Sequence, residues 1–214
     1  MDLDFWHQKW ETNQIFFHQN QIHALLKKYF NHPPGKIMVP LCGKSMDMLW
    51  LLQQGHEVIG VEISPIACEA FFKENNLSYQ KSGNLYQGKK ISIWCEDFFK
   101  VPAKVWKGCT GLYDRAALIA LPGPIRKIYA QHLAQRLHET CSTFWQMLLI
   151  CLEYPQDRMD GPPFSVSESE VGELFKNNFS IQKLHSEVAP LERLPNTDVF
   201  QKAYSLTLAN PRPA

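Results

Sequence analysis

A single turn glycine and one glutamate, 19 residues apart, have the types and spacing of a nucleoside-binding site. Gly43 lies in a turn after the apolar run 37–39, and Glu62 ends a second apolar run that begins at Val58. A turn after the first strand of a βαβ unit offers backbone N–H groups to a polar or anionic ligand group. An acid about 20 residues farther on accepts hydrogen bonds from ribose hydroxyls. The pair therefore predicts a ribose-containing cofactor.

The glycine pattern narrows the class of cofactor. A dinucleotide-binding turn has the pattern GxGxxG, which lets the backbone approach a pyrophosphate, whereas Gly43 is the one glycine of this turn. We therefore favour a nucleoside cofactor without phosphates, and S-adenosylmethionine is the obvious one. On spacing alone, an ordinary βαβ unit with a surface glutamate stays open.

Charged residues at three other places in the chain, two of them directly after predicted strands, are candidates for ligand contacts. Glu96 and Asp97 come just after the run 91–95. We choose Asp97 over Glu96 to accept from the amine of adenine, and its alternative role is to cap a helix. Arg115, with Asp114, follows the run 108–113 at the edge of the sheet where open α/β folds bind ligands. It either faces a substrate pocket or forms a structural ion pair. Arg193 lies in a loop, where it is a second pocket arginine or simply exposed to solvent.

The N-terminal stretch is dense in aromatic residues. Trp6 and Trp10 are four residues apart and share a face if the stretch is helical, and Phe16 and Phe17 follow. Periodicity alone favours a helix that packs its indoles onto the core. The alternative is a lid that excludes water and offers aromatic faces to a cationic sulfonium.

The elements that must position these residues predict an α/β fold. Helical patterns alternate with the first five strands, a small hairpin interrupts them near residues 84–88, and an antiparallel pair closes the chain. This is the class I S-adenosylmethionine-dependent methyltransferase fold, a seven-stranded, mostly parallel, doubly wound sheet with an antiparallel C-terminal strand. The seven predicted strands are 37–39, 58–62, 91–95, 108–114, 143–152, 179–185 and 199–208.

Composition limits the class of protein. The 214 residues suit a single domain, 1–214, with 1–30 as an N-terminal aromatic segment, and the net charge of +1 implies no general attraction to nucleic acid or membranes. The six cysteines show no CxxC and no metal-ligand spacing, so we expect reduced thiols, no metal and a cytoplasmic protein. The absence of an obvious exposed apolar stripe makes a monomer the expected state.

Several segments keep the order and spacing of one known family. The turn PLCGKS followed about 70 residues later by YDRAAL is its most specific feature, and together the segments cover nearly the whole chain. The sequence resembles the thiopurine S-methyltransferase family, in its bacterial branch. The segments are FWHQKW (5–10), FFHQNQ (16–21), VPLCGKSMDMLWL (39–51), VIGVEIS (58–64), CEDFF (95–99), LYDRAALIALP (112–122), GPPFSV (161–166) and LER with DVFQKAY (191–204).

The resemblance implies roles for individual residues. It implies that S-adenosylmethionine donates a methyl group to a thiol or a related soft nucleophile. The cofactor contacts would be Trp10, Leu41 through its backbone, Glu62 through the ribose and Arg115. The resemblance also places Trp6 and Phe17 near the cofactor and an aromatic substrate, which favours the lid, and Arg115 and Arg193 near the substrate. The segment that contains Asp97 varies within the family, so the adenine contact stays open.

Two other functions remain open at this point. The same cofactor could methylate selenium or tellurium compounds in a detoxification reaction, as has been suggested for bacterial relatives. A non-catalytic nucleoside-binding module would bind the cofactor without turnover.

Overall fold

The computed structural model describes residues 3–140 and 145–209, which group into two compact units, 1–112 and 113–214. We describe each unit by itself. The single domain expected from the sequence stays a prediction.

The first unit is built on parallel strands. β1 pairs in parallel with β2 and β6, and β2 pairs in parallel with β5. Its strands lie in the order β3-β4-β5-β2-β1-β6. The strands are β1 (Lys36–Val39), β2 (Glu57–Glu62), β3 (Tyr79–Ser82), β4 (Leu85–Gly88), β5 (Ile91–Cys95) and β6 (Cys109–Asp114), the last of which runs on into the second unit.

Helices cover this sheet and place their apolar side chains on it. Burial of Ile37, Met38, Val58 and Phe71 shows where the core of the unit lies. Ser64 caps α4 and Pro65 begins it, as their preference for these positions predicts. The helices are α1 (Leu3–Glu11), α2 (Ala24–Tyr29), α3 (Asp47–Gln53), α4 (Pro65–Glu74) and α5 (Ala103–Trp106), and a 3₁₀ turn spans Phe98–Lys100.

The second unit contains the long helix and the antiparallel strands. β9 lies between β7 and β8 and is antiparallel to both, so the predicted antiparallel C-terminal strand is confirmed. Its elements are α6 (Ala117–Ala120), α7 (Gly123–Thr140), β7 (Gln146–Glu153), a 3₁₀ turn at Gln156–Arg158, α8 (Glu168–Phe175), β8 (Phe179–Val188) and β9 (Phe200–Leu208).

Two local predictions need correction. The hairpin predicted near residues 84–88 is present as the antiparallel pair β3 and β4, and these two strands bring the described residues to nine strands, where seven were predicted. The apolar spacing of residues 18–30 predicts one amphipathic helix, but the helix is confined to α2, because the backbone N–H of His23 donates to buried Asp47 (2.7 Å) and the helix begins after it. The same pattern places His23 at the surface, whereas in the structure it is buried and caps α2 through its ring nitrogen. None of the helices in the described ranges is long and apolar enough to span a bilayer.

Candidate functional site

The turn after β1 is held in a demanding backbone conformation. Leu41 has φ +46° and Gly43 has φ +52°, both in the left-handed region. Glycine adopts this region freely, whereas leucine does so at a cost of about 1–2 kcal/mol. Strain of this kind concentrates at functional sites. The conformation fixes the direction of the backbone groups of Leu41, the residue whose backbone the family resemblance assigns to the cofactor.

The carboxylate of Glu62 lies against this turn. Its Oε2 accepts from the backbone N–H of Gly43 and its Oε1 from that of Ser64, both at 2.8 Å. Cys42 donates its own N–H to the carbonyl of Val61 at 2.9 Å. The N–H groups of Cys42 and Gly43, which the sequence offered to a ligand, are therefore used inside the protein. The turn therefore holds the carboxylate of Glu62 in place for a ligand.

Glu62 fits the recognition of a ribose. The side chain is buried, and burial raises its pKa, while the N–H groups of Ser64, Gly43 and Ile63 lower it. An ionised carboxylate has about four acceptor positions, and the N–H groups of Ser64, Gly43 and Ile63 use up to three of them. The acceptor capacity that remains fits a hydroxyl of a ribose diol, so the residues present fit a nucleoside cofactor.

An aromatic layer lies over the turn. Trp6 and Trp10 lie on one face of α1, and Phe17 packs edge-on against both, with ring centroids 5.5 and 5.6 Å apart. A Cβ atom at Gly43 would lie 3.2 Å from Cζ2 of Trp10. Trp10 is buried, whereas Phe17 is 37% exposed and Phe16 is 89% exposed. The layer is thus anchored on the turn and open to solvent at its outer side.

Asp97 is engaged as a cap. Its Oδ1 accepts from the N–H of Phe99 at 3.1 Å, at the start of the 3₁₀ turn. Glu96 is also occupied, because its two oxygens accept from the N–H of Asp97 and from the amide of Asn84. This is the capping alternative that the sequence left open, and the contact with adenine stays a prediction.

The second unit has a buried carboxylate of its own at the end of β6. Asp114 is fully buried, and its Oδ1 accepts from the N–H groups of Ala117 (2.9 Å) and Leu118 (3.2 Å). Its Oδ2 accepts from the hydroxyl of Tyr129 at 2.7 Å. Burial raises the pKa of Asp114 to about 6, although these three donors oppose the shift. Asp114 thus fixes the start of α6 immediately after Arg115.

The two candidate arginines have different surroundings. Arg115 is half-buried, directly after the strand end that Asp114 anchors. Arg193 is exposed, and its Nη1 donates to the carbonyl of Pro162 at 2.8 Å. Leu194 beside it is buried in an apolar cluster with Tyr154, so the backbone that carries Arg193 is tethered.

Replacing Asp114 by asparagine is expected to flatten the pH dependence of stability. The folded pKa of about 6 exceeds the ordinary value of 3.8, so the native state binds an extra proton between these values and the wild-type protein loses stability as the pH rises through this window. Two pKa units correspond to about 3 kcal/mol. The asparagine oxygen can still accept from Ala117 and Leu118, and its amide can donate to Tyr129.

Urea unfolding of Asp114→Asn and wild type from pH 4 to 8 measures this effect. The variant gains stability relative to wild type as the pH rises, by up to about 3 kcal/mol. Asp160→Asn, a change at an exposed residue, is the control. Parallel stability curves for wild type and Asp114→Asn would contradict the titration of this carboxylate.

The first unit thus brings Trp6, Trp10, Phe17, Gly43 and Glu62 into one contiguous set, whereas the Oδ1 of Asp97 accepts from the N–H of Phe99 as a cap.

Tyr129, which shares a hydrogen bond with Asp114, was not identified from the sequence. The sequence pattern around Tyr129 does not point to this role, because a tyrosine on the inner face of a helix is typical of an ordinary core.

Among the described residues, no group of histidine, cysteine and acidic side chains could hold a metal ion.

Comparisons with known proteins identify the family to which the chain is similar. Residues 1–207 match the model of the family described as thiopurine S-methyltransferase. A protein named thiopurine S-methyltransferase from Bordetella petrii is 43% identical over 201 residues, 90% of this chain and 87% of that protein.

Solved structures show the same fold at low sequence identity. Magnesium protoporphyrin IX methyltransferase from Synechocystis, with bound S-adenosylhomocysteine, has a TM-score of 0.66 at 13% identity and covers 98% of this chain and 100% of that one. The 1,6-didemethyltoxoflavin N1-methyltransferase from Burkholderia thailandensis, with bound 1,6-didemethyltoxoflavin and S-adenosylhomocysteine, has a TM-score of 0.64 at 15% identity. The match covers 97% of this chain and 87% of that one.

Proposed function

The chain belongs to the thiopurine S-methyltransferase family and is an S-adenosylmethionine-dependent methyltransferase, and from this premise we propose that its acceptor is the sulfur of an aromatic or heterocyclic thiol such as a thiopurine. The observation that carries the proposal is the aromatic layer of Trp6, Trp10 and Phe17 on the Gly43 turn. Its partly exposed ring, Phe17, offers a flat apolar surface to a planar acceptor.

Glu62 and the indoles hold the cofactor in this proposal. Glu62 accepts from the ribose diol with the acceptor capacity that its backbone donors, Gly43, Ser64 and Ile63, leave available. Trp6 and Trp10 present aromatic faces to a cationic sulfur and exclude water from the reacting atoms. Leu41 contributes backbone groups whose direction its left-handed conformation sets. When bound, S-adenosylmethionine supplies a methyl group that its sulfonium already activates.

The arginines act on the acceptor. Arg115 favours the thiolate form of the acceptor electrostatically, directly or through a water molecule that carries the proton away. Arg193, tethered by its neighbour Leu194, is a second contact for the substrate. The thiolate takes the methyl group and becomes a thioether, so no protein nucleophile is needed. Alignment of donor and acceptor accounts for several kcal/mol of the acceleration.

A methyl-transfer assay with two acceptors tests the proposal. With radiolabelled cofactor, we expect faster transfer to an aryl thiol than to selenite. Phe17→Ala should raise the KM for the aryl thiol about fivefold or more, about 1 kcal/mol, and change the KM for selenite less, because only the aryl group uses the ring. Phe16→Ala is the matched control, since that neighbouring ring is 89% exposed.

The outcomes separate the candidate functions. Preferred transfer to selenite would replace the thiol by a selenium acceptor, in keeping with the alternative that the sequence left open. Equal KM changes for both acceptors would remove Phe17 from the acceptor site. Cofactor binding without turnover on either acceptor would contradict the proposal.

We also propose the remaining sequence-based properties as a set. Residues 1–214 act as one domain with 1–30 as its lid, and the protein is a cytoplasmic monomer that detoxifies small soft nucleophiles. The net charge of +1 and the five described cysteines, all free thiols, support this view.

A further inference from the structure

A chain of hydrogen bonds runs from the interior of α7 to the start of α6. Tyr129 lies in the middle of α7 and is fully buried. Its hydroxyl donates to Oδ2 of Asp114 at 2.7 Å, and Oδ1 of the same carboxylate accepts from the N–H groups of Ala117 and Leu118. Burial and the negative charge of Asp114 raise the pKa of the Tyr129 hydroxyl, which therefore keeps its proton and remains the donor. The proposed reaction gives Tyr129 no role.

The start of α6 depends on the carboxylate of Asp114. The helix has only four residues, Ala117–Ala120, and its N-cap residue Ala116 makes no side-chain capping bond. Asp114 supplies the acceptor that the cap lacks. A helix this short is unstable by itself, so the carboxylate sets where the helix begins. Arg115 lies on the backbone between the carboxylate and the helix, and its direction follows from this bond.

The Tyr129 hydroxyl fixes the rotation of this carboxylate. Tyr129 is itself held firmly, because Leu133 and Leu137 are buried on the same face of α7. Asp114 is fully buried, and a buried acceptor that lacks a donor costs about 1–3 kcal/mol. Without the hydroxyl, Oδ2 would lose its described donor, and the carboxylate would rotate or take up a proton. Either change would weaken the bonds from Oδ1 to α6, and the backbone of Arg115 would lose its fixed direction.

We propose that Tyr129 is a positioning residue for methyl transfer, which acts through Asp114 on the guanidinium of Arg115. The inference rests on the proposed function, in which Arg115 favours the thiolate form of the acceptor. Tyr129 touches neither the acceptor nor the cofactor in this role, and it holds the carboxylate that caps α6. Its hydroxyl therefore contributes to the rate only while the guanidinium is present.

Methyl-transfer kinetics of Tyr129→Phe test the proposal. The substitution removes one hydroxyl and keeps the ring, and we expect kcat/KM for an aryl thiol to fall about fivefold or more. Tyr204→Phe is the matched control, because Tyr204 is also buried in the same unit and its hydroxyl has no hydrogen-bond partner among the described residues. The control should stay within about twofold of wild type. Circular dichroism at the assay temperature establishes that both variants are folded.

A double-mutant cycle with Arg115→Ala gives a readout that a merely structural role would not move. If Tyr129 acts through Arg115, the double variant should stay within about twofold of Arg115→Ala alone in kcat/KM.

Asp114→Asn is a second, conservative variant that keeps the hydrogen bonds. Its oxygen can accept from the start of α6 and its amide can donate to Tyr129, so it should retain more activity than Tyr129→Phe. A greater loss in Asp114→Asn would assign the effect to the charge of Asp114 and would overturn the positioning role.

The outcomes separate this inference from the function on which it rests. Wild-type kcat/KM for Tyr129→Phe, beside a loss for Arg115→Ala, would overturn the role of Tyr129 and leave the proposed function in place. Additive losses in the double variant, or an equal fall in Tyr204→Phe, would reduce Tyr129 to an ordinary core residue. Unchanged kcat/KM for Arg115→Ala, or no transfer to the thiol by wild type, would remove the role that Tyr129 supports, and both proposals would fall.

Discussion

Replacing Glu62 by alanine is expected to weaken the binding of S-adenosylhomocysteine about 100-fold, or about 2.7 kcal/mol. The reason is the loss of hydrogen bonding from the ribose diol to a charged acceptor, in which each bond is worth about 1.5–3 kcal/mol. Isothermal titration calorimetry of the purified variant measures the change. Unchanged affinity would remove Glu62 from the cofactor site.

The substitution also acts on the free protein, and the experiment has to separate the two effects. Without the carboxylate, the N–H groups of Gly43 and Ser64 lose their described acceptor. Glutamine is no remedy, because its amide would turn a donor toward one of these donors. The melting temperature of the ligand-free variant reports the structural loss, and the titration on folded protein reports the binding loss.

Glu57→Ala is the matched control for this experiment. Glu57 begins the strand that Glu62 ends, and its side chain is exposed. The Glu57→Ala substitution removes the same charge from the other end of the same strand. A drop in affinity confined to Glu62→Ala therefore reports the site and not the net charge.

The Gly43–Glu62 relation was predictable because it depends on local patterns and on parallel pairing. Two apolar runs joined by one helical segment imply parallel strands, and the register of β1 with β2 places both strand ends at one edge. The spacing of 19 residues then brings the glutamate to the turn. The use of the Gly43 N–H by Glu62 was not predictable, because spacing does not show which donors stay available.

Contacts between distant residues explain what the sequence did not show. The start of α2 is set by the bond from His23 to Asp47, 24 residues away, and not by the apolar period of its own segment. The partnership of Asp114 with Tyr129 likewise joins a strand end to the interior of a helix. Periodicity reports which face of an element is buried and not which polar groups meet there.

Asp97 shows the same limit at a site residue. Its position after a strand fitted both a ligand contact and a cap, because aspartate after an extended segment serves either purpose. In the structure, the Oδ1 of Asp97 accepts a hydrogen bond from the N–H of Phe99. Only the three-dimensional direction of the side chain distinguishes the two roles.

Replacing Arg115 by alanine is expected to lower kcat/KM for thiol methylation at least tenfold, about 1.4 kcal/mol of transition-state stabilisation. In the proposed role, the guanidinium favours the thiolate over the thiol, and its position is held by the capped start of α6 beside it. Methyl-transfer rates of the purified variant measure the loss. Arg136→Ala is the control, since that arginine forms a surface ion pair with Glu139.

The acidity of the acceptor provides the sharpest test of this role. An acidic aryl thiol is already ionised at neutral pH, whereas a weakly acidic thiol depends on the protein to lose its proton. If Arg115 acts by favouring the anion, Arg115→Ala should lower kcat/KM more for the weakly acidic thiol, and the difference should shrink as the pH rises. An equal loss for both thiols at every pH would indicate that Arg115 positions the acceptor or the cofactor without favouring the thiolate. Wild-type kcat/KM with both thiols would exclude the arginine from the reaction.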